Sequence, residues 1–236
     1  MSKDQDKVRL EITTQTAQSR SRGGLLKIII IIALKIIIII AIVAGVIYGI
    51  KKTRYQFIAR NFGVVESGQI YRSGRLTPRM LRKVIAENNI KTILDLGAFH
   101  LDSQGEINEQ AISDELGVTR VRFDLKGDGT GNPNYYVQAL RMMQDESTHP
   151  LLVHCAAGAQ RASGVVLLFR HIVQGVDIAD AYPETFDYKH KPDEWQLLAY
   201  IAQYQHEIAQ SLESGEQIPG FEPIEYPLVL SDTDTQ

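Results

Sequence analysis

The longest run of apolar positions in this chain covers residues 28–50. Thirteen of these 23 positions are isoleucine, and Lys35 is the one charged residue among them. A helix rises about 1.5 Å per residue, so the run would span roughly 34 Å, enough for the hydrocarbon core of a bilayer. Lys35 would cost about 2.5–3.5 kcal/mol at mid-membrane, but the isoleucines outweigh this cost and the lysine stem can reach the N-terminal face. The pattern predicts a transmembrane helix over residues 25–50, too long for a cleavable signal peptide.

After a basic juxtamembrane linker over residues 51–60, short strand-like runs alternate with amphipathic segments. The predicted strands lie at residues 93–96, 118–125 and 150–154. The predicted helices begin at Thr77-Pro78 and cover residues 105–116, 134–146, 162–174, 179–188 and 193–206, the last with Trp195 in the core. This alternation predicts an α/β domain over residues 61–211, with a central, mostly parallel sheet covered by helices on both faces.

The two ends of the chain and its charge distribution limit the function. Residues 1–24 are polar and lack periodicity, which predicts a disordered tail, and residues 212–236 contain three prolines and no Lys or Arg, which predicts an acidic flexible tail. Residues 1–60 carry 11 Lys/Arg against 3 Asp/Glu, whereas residues 61–236 carry 14 against 25, a net charge of −11. A domain this acidic is a poor nucleic-acid binder, so any recognition of phosphate has to come from local geometry.

Candidate chemistry concentrates around the only cysteine, in the segment His154-Cys155-Ala156-Ala157-Gly158-Ala159-Gln160-Arg161 between a predicted strand and a predicted helix. A helix N-terminus presents unpaired N–H groups and the positive end of the helix dipole, so it favours a bound anion. The same field and Arg161 favour the thiolate of Cys155, and the planar arginine fork can hold two phosphoryl oxygens. A lone cysteine is also typical of a small buried residue, but the spacing of Gly158 and Arg161 favours a phosphate site.

This segment resembles the His-Cys-x-x-Gly-x-x-Arg signature of the protein tyrosine phosphatase superfamily. Residues 61–204 are similar to its bacterial dual-specificity phosphatase-like branch, and residues 68–78 and 90–96 resemble the opening strands and helix of that branch. The resemblance implies that Cys155 is the nucleophile, that Arg161 binds the phosphate and stabilises the transition state, and that neither a metal nor a cofactor is required. The implied substrate-binding residues are Ala156, Ala157, Gly158, Ala159, Gln160 and Arg161, with His154 and Ser163 in supporting roles.

Two positions depart from the family pattern. The family usually has Ser or Thr directly after the arginine, where the hydroxyl helps to expel the cysteine sulfur, and here Ala162 holds that position. Ser163 lies one residue later, so we expect the covalent intermediate to be released slowly. The branch also often has arginine where this chain has Gly97, a change that the sequence does not explain.

The general acid of this superfamily is an aspartate on a mobile loop. Residues 126–134 follow a predicted strand, are rich in glycine, and contain Asp128, whose following glycine and nearby proline resemble several dual-specificity members. We therefore expect Asp128 to donate the proton to the leaving group. Asp124 is the alternative, because its separation from Cys155 along the chain is closer to that in many family members.

The sequence therefore predicts a membrane-tethered phosphatase that acts through a phosphocysteine, with phosphotyrosine or phosphoserine/threonine proteins as substrates. The alternatives are a phospholipid monoester phosphatase, suggested by the anchor, and a weak pseudophosphatase that binds phosphoproteins, suggested by Ala162. Basic residues flank both ends of the single-pass helix, so they leave its orientation open, while a reduced thiolate favours the cytosolic side. A single cysteine excludes an intramolecular disulfide and the cysteine relay of arsenate reductases.

Overall fold

The computed structural model describes residues 31–32, 34–51 and 53–224. The predicted polar tail over residues 1–24, the start of the predicted membrane helix over residues 25–30, and residues 225–236 of the predicted acidic tail lie outside this part. The chain divides into two compact units, Met1–Arg54 and Tyr55–Gln236.

The apolar helix α1 runs over Leu34–Gln56 and has a mean hydropathy of 2.3. Its length and composition are sufficient to cross a membrane, and its most apolar window is not buried inside the protein. Burial in a soluble core therefore does not explain why the helix is apolar all round. The chain makes a 3₁₀ turn over Arg54–Gln56, inside the segment of residues 51–60 that the sequence predicts to be a linker.

In the second unit, the described residues form one five-stranded sheet in the order β1-β2-β5-β3-β4. The strands are β1 (Gly63–Glu66), β2 (Ile70–Gly74), β3 (Thr92–Asp95), β4 (Thr119–Arg122) and β5 (Leu151–Cys155). β1 is antiparallel to β2, and the other neighbours are parallel. In this register Gly74 lies opposite Cys155, and Asp95 lies opposite His154. The carboxyl ends of β2, β3 and β5 therefore meet at one edge of the sheet, where ligands bind in parallel α/β folds.

Helices cover both faces of the sheet, which confirms the predicted fold class. The longer helices are α2 (Pro78–Asn88), α3 (Gln104–Leu116), α4 (Pro133–Gln144), α5 (Gln160–Leu168) and α8 (Gln196–Ser214). One hydrophobic cluster joins α2 and Ile112 of α3 to one face, and a larger cluster joins α4, α5 and α8 to the other. Local signals set the boundaries: Thr77 caps α2 before its first-turn proline, and Gly117 ends α3 in the left-handed conformation.

Three features differ from the sequence-based expectations. Residues 179–188 form two short helices, α6 (Ile178–Ala181) and α7 (Glu184–Asp187), separated by Pro183, and α5 continues as a π-helix over Phe169–Val173. The Trp195 side chain is 65% exposed, although its apolar neighbours predicted a core position.

The segment after α8 also differs from the predicted flexible tail over the residues that the structure describes. Helix α8 itself extends to Ser214, and Ile218 and Ile224 are buried. The Ile218 backbone N–H donates to Asn134 Oδ1 at 2.7 Å, and Asn134 Nδ2 donates back to the Ile218 carbonyl at 3.1 Å. Apolar anchors and paired backbone groups therefore hold this segment against α4.

Candidate active site

Cys155 is the last residue of β5, the central strand, and the four residues after it turn directly into α5. The cysteine is 1% exposed, and the Gly158 backbone N–H donates to its Sγ at 3.2 Å. No side chain caps the N-terminus of α5 at Ala159. The first N–H groups of this helix are thus left for a ligand, and their partial positive charge favours an anion in front of the sulfur.

The carbonyl groups of this phosphate loop, residues 156–159, are held by the segment that precedes the sheet. Arg60 Nη1 donates to the Ala156 carbonyl at 3.1 Å, and Asn61 Nδ2 donates to the Ala157 carbonyl at 2.8 Å. Asn61 has a positive φ of 45°, which is uncommon for a residue with a side chain. Because these side chains engage the carbonyls, the loop N–H groups other than that of Gly158, which donates to Cys155 Sγ, can face a phosphate.

Arg72 of β2 supports the same loop from inside the core. Its side chain is fully buried, and Nη2 donates to the Gly158 carbonyl at 3.0 Å and to Ser163 Oγ at 2.6 Å. The guanidinium carbon lies 3.6 Å from the centroid of the Tyr188 ring. Burial lowers the pKa of Arg72 to about 10, so the guanidinium stays charged at neutral pH. A buried cation thus lies beneath the loop that is expected to bind an anion.

Gly158 is required by the close approach of this loop to β2. Its φ is +74°, and a Cβ at this position would lie 2.5 Å from the Gly74 backbone nitrogen. Real Cβ atoms do not approach backbone atoms so closely, and only glycine adopts this conformation at little cost. The mid-loop glycine is therefore fixed by both backbone conformation and space.

Arg161 projects from the first turn of α5 toward the ends of β3 and β4. Its Nη1 donates to the Leu96 carbonyl at 2.9 Å, to the Gly97 carbonyl, and to the Leu125 carbonyl at 3.4 Å. Three backbone carbonyls thus fix one edge of the guanidinium. Within the described part of the chain, Arg161 Nε has no hydrogen-bond partner. The remaining N–H groups can therefore serve a phosphoryl group.

A cavity of about 710 Å³ opens over the phosphate loop. Ala156 and Arg161 line it on one side, and Asp124 and Arg75 line it on others. The Asp124 side chain is 58% exposed, and Arg122 Nη2 lies 3.3 Å from its Oδ1. The structure therefore brings Asp124 to the same cavity as Arg161.

Asp128 is not among the described residues that line this cavity. Its Oδ1 accepts from the Thr130 backbone N–H at 3.0 Å and from Thr130 Oγ1 at 2.8 Å. Slight burial opposes ionisation, but these hydrogen bonds hold the pKa of Asp128 below its usual value. Its carboxylate is therefore committed to a local turn in this conformation.

The structure gives a steric reason for glycine at residue 97, which the sequence does not explain. Its φ is +80°, and a Cβ there would lie 2.1 Å from Asp124 Oδ1 and 2.8 Å from Arg161 Nη1. The aspartate and the arginine therefore converge on the space above this glycine. Any side chain at residue 97 would push at least one of them away.

A buried group of ion pairs lies behind the phosphate loop. Arg120 is 0% exposed and contacts Asp95 at 2.5 Å, Glu106 at 2.8 Å and Glu109 at 3.0 Å. Arg120 occupies β4, Asp95 ends β3, and both glutamates lie on α3. The network therefore locks α3 onto the edge of the sheet that carries the site.

The same network reaches both ends of the site. Arg122 contacts Asp95 at 2.9 Å and Asp124 at 3.3 Å. His154 Nε2 lies 3.1 Å from Glu109 Oε1, which is within ion-pair distance, but the two atoms are not aligned for a hydrogen bond. Burial alone would lower the His154 pKa, but Glu109 and Asp95 outweigh it and raise that pKa above its usual value. His154, which precedes Cys155, and Asp124 of the cavity are thus connected through buried charges.

The three potential ligand atoms of Asp95, Glu109 and His154 lie within 4.8 Å of one another. Both carboxylates are already paired with Arg120 at 3.0 Å or less. A cation would have to compete with that guanidinium. The arrangement therefore fits an ion-pair cluster better than a metal centre.

The structure thus brings Arg161 and Asp124 to one cavity, which is also lined by Ala156, the residue after Cys155, and it places Ser163 on Arg72. Sequence reasoning gave no role to Arg60, Asn61 or Arg72. The sequence could have pointed to Arg72, because this residue lies in a segment that resembles the opening strands of the phosphatase branch. Arg60 and Asn61 gave no such signal, because a basic residue after an apolar helix is normally interpreted as a membrane flank.

This combination of a parallel sheet and a cysteine-to-arginine loop at a helix N-terminus defines a tyrosine phosphatase-like fold. Solved structures share it. TpbA of P. aeruginosa aligns with a TM-score of 0.54 and 19% identity over 65% of this chain and 91% of that chain. A TpbA variant in complex with phosphotyrosine aligns with a TM-score of 0.53 and 19% identity over 67% and 99%. The catalytic core of the PP-IP phosphatase SIW14 from S. cerevisiae aligns with a TM-score of 0.51 and 18% identity over 68% of this chain and 98% of that chain.

The family itself follows from residues 59–203, which match the model described as DSP-PTPase phosphatase fused to NAD+ kinase. The matched residues are more than half of the chain, and the chain belongs to this phosphatase family. The resemblance predicted from the signature loop is thereby confirmed. A comparison with curated proteins found no significant match.

Proposed function

We propose that this protein is a membrane-tethered phosphatase that hydrolyses phosphomonoesters through a phosphocysteine. The Cys155 thiolate attacks phosphorus, so an S–P bond forms while the bond to the leaving oxygen breaks. Arg161 and the loop N–H groups hold the phosphoryl oxygens as charge develops on them. The observation that carries the proposal is the phosphate loop itself, with Cys155 at its start, a helix N-terminus at its end, and its carbonyls engaged elsewhere.

For the proton donor we favour Asp124 over the expected Asp128. Asp124 lines the cavity and converges with Arg161 above Gly97, whereas Asp128 is occupied by Thr130. In the first step, a protonated Asp124 gives its proton to the leaving oxygen. In the second step its carboxylate accepts a proton from water as the water oxygen attacks phosphorus, the S–P bond breaks, and the thiolate returns.

Membrane tethering is proposed from helix α1, whose apolar residues are exposed in the described part of the chain. The cytosolic side is favoured for the catalytic domain because the nucleophile has to stay reduced. Phosphotyrosine and phosphoserine/threonine proteins stay predicted substrates. A lipid phosphomonoester is a second candidate, favoured by an apolar cavity beside the site.

Pre-steady-state hydrolysis of an aryl phosphate by the full chain in detergent tests the proposal. We expect a burst of one equivalent of phenol, then a slower steady rate, with both phases lost in Cys155→Ser. A steady rate that survives Cys155→Ser would overturn the proposal. Absence of any phenol release, with binding of phosphotyrosine peptides retained, would instead indicate a binding protein without turnover.

A further inference from the structure

A second cavity, of about 420 Å³, adjoins the phosphate cavity. Its walls are mostly apolar and include Leu76, Leu81 and Ile112, which belong to the buried cluster beneath α2 and α3. We call this space the apolar cavity. A cavity of this size and composition is typical of a site that binds an apolar group.

The two cavities share part of their lining. Arg75, Phe99 and Gly105 border both of them. The Arg75 guanidinium carbon lies 5.8 Å from the centroid of the Phe99 ring, so a cation and an aromatic face meet at the junction. A molecule whose phosphate lies over Cys155 therefore has a route to the apolar cavity past Arg75.

Two arginines at the apolar cavity have no carboxylate partner among the described residues, namely Arg60 and Arg75. Arg60 is half-buried and donates to the phosphate loop, and Arg75 is exposed. Positive charge beside an apolar wall complements an anionic amphiphile. This local charge contrasts with the net charge of −11 over residues 61–236.

The apolar cavity also lies close to the predicted membrane segment along the chain. Tyr55 lines it, and four residues separate Tyr55 from Ile50, the last residue of the apolar run. Phe57 and Ile58, the next apolar residues, are 62% and 64% exposed, and Arg79 lies over the Phe57 ring at 5.3 Å. Exposed apolar and basic side chains together favour a membrane surface.

From these observations we infer that the apolar cavity holds an acyl chain of the substrate, which is a membrane lipid that carries a phosphomonoester. The phosphate lies over Cys155, Arg75 neutralises further negative charge on the headgroup, and the chain lies between α2 and α3. This inference rests on the proposed phosphatase activity and narrows its substrate class. The apolar side chains of a phosphopeptide are the competing occupants of this cavity, and the comparison of a lipid with a peptide substrate separates the two.

Inhibition by soluble alkylphosphonates tests the acyl-chain site without a membrane. The full chain in detergent hydrolyses an aryl phosphate in the presence of butyl-, hexyl-, octyl- or decylphosphonate, each below its micellar concentration. Each methylene that enters the cavity should improve the inhibition constant by about two- to fourfold, until the cavity is full. An inhibition constant that does not change with chain length overturns the inference. Absence of aryl phosphate hydrolysis in the same assay would instead overturn the phosphatase proposal.

A pair of variants on α3 locates the effect. Asn108 lines the apolar cavity and not the phosphate cavity, whereas its neighbour Ile107 is 53% exposed and lines neither. Asn108→Trp should fill the apolar cavity, so the inhibition constant should no longer depend on chain length. The affinity for decylphosphonate should fall by about tenfold or more relative to that for butylphosphonate. Ile107→Trp should leave both affinities and the hydrolysis rate unchanged. Equal effects of the two variants would contradict the assignment.

The natural substrate class needs its own comparison. The full chain in vesicles is given dioleoyl phosphatidic acid or a phosphotyrosine peptide. The inference predicts a kcat/KM at least about tenfold higher for the lipid, and a larger loss for the lipid than for the peptide in Asn108→Trp. Preferential hydrolysis of the peptide, with both substrates equally affected by Asn108→Trp, overturns the lipid assignment while leaving the phosphatase proposal intact.

Discussion

Arg72 donates a 2.6 Å hydrogen bond to Ser163 Oγ, and both side chains are fully buried. The hydroxyl that follows Ala162 is therefore placed by the arginine beneath the phosphate loop. We infer that it does not replace the hydroxyl that phosphatases of this superfamily usually have at residue 162.

Restoring that hydroxyl should speed release of the intermediate. We expect Ala162→Ser to raise the steady-state rate about tenfold relative to the burst rate, because the added group can stabilise the departing sulfur. Rapid quench with a chromogenic aryl phosphate separates the two phases. An unchanged ratio would mean that Ala162 does not limit turnover.

Loss of the Arg72 side chain should disorder the phosphate loop and lower activity, although this buried residue does not contact the substrate. In Arg72→Met, two hydrogen bonds to a charged group disappear, each worth about 1.5–3 kcal/mol, so the free energy of unfolding should fall by at least about 3 kcal/mol and kcat by more than about tenfold. Arg72→Lys keeps the charge, but its shorter side chain does not place a nitrogen where Nη2 bonds Gly158 and Ser163, so it should recover stability better than activity. Urea unfolding measures the stability of the two variants, and steady-state kinetics measure their kcat. The control is Arg82→Met, which breaks an exposed ion pair with Glu115.

A side chain at residue 97 should separate Asp124, the proposed acid, from Arg161, the proposed phosphate ligand. Gly97→Ala is expected to lower kcat/KM by about a hundredfold, because the new methyl would collide with Asp124 and Arg161. Gly117→Ala is a matched control, since its φ is +65° and no atom lies within 4 Å of the added Cβ. Both variants should lose about 1–2 kcal/mol of stability from the left-handed backbone, but only the first should lose activity. Equal activity in the two would contradict the steric account.

The choice between the two aspartates depends on the leaving group. Asp124→Asn should lower kcat by about a hundredfold for an alkyl phosphate, whose alkoxide needs a proton, and much less for dinitrophenyl phosphate. Asp128→Asn should have little effect on either substrate, because its carboxylate bonds Thr130. The opposite pattern would restore Asp128 as the general acid.

The raised pKa of His154 predicts how stability depends on pH. Protonation of His154 in the folded state stabilises the protein fully below the unfolded value near 6.5, and this contribution is lost as the pH rises through the higher folded value. His154→Gln should remove that decline. Urea unfolding of the full chain in detergent between pH 5.5 and 9 measures it, and a decline that persists in the variant would assign it to another group.

The signature loop, the fold class and the boundaries of α2 and α3 follow from the sequence because they depend on neighbouring residues. Cys155 and Arg161 are six positions apart, and Thr77, Pro78 and Gly117 act on the helices beside them. The choice of acid depends on tertiary structure, since Asp128 resembles the family pattern locally while Asp124 is brought to the cavity by strand register. The roles of Arg60 and Asn61 depend on hydrogen bonds across 96 positions, which no local pattern encodes.

Those long-range bonds also determine when the site can exist. The carbonyls of residues 156–158 are held by side chains that precede them by 86 to 96 positions. Contacts of such sequence separation form late in folding, because a long loop has to close first. A nascent chain that has already emerged through Cys155 and Arg161 should therefore have no affinity for phosphate until residues 60–72 dock on the loop, so the proposed phosphate site is assembled only in the folded domain.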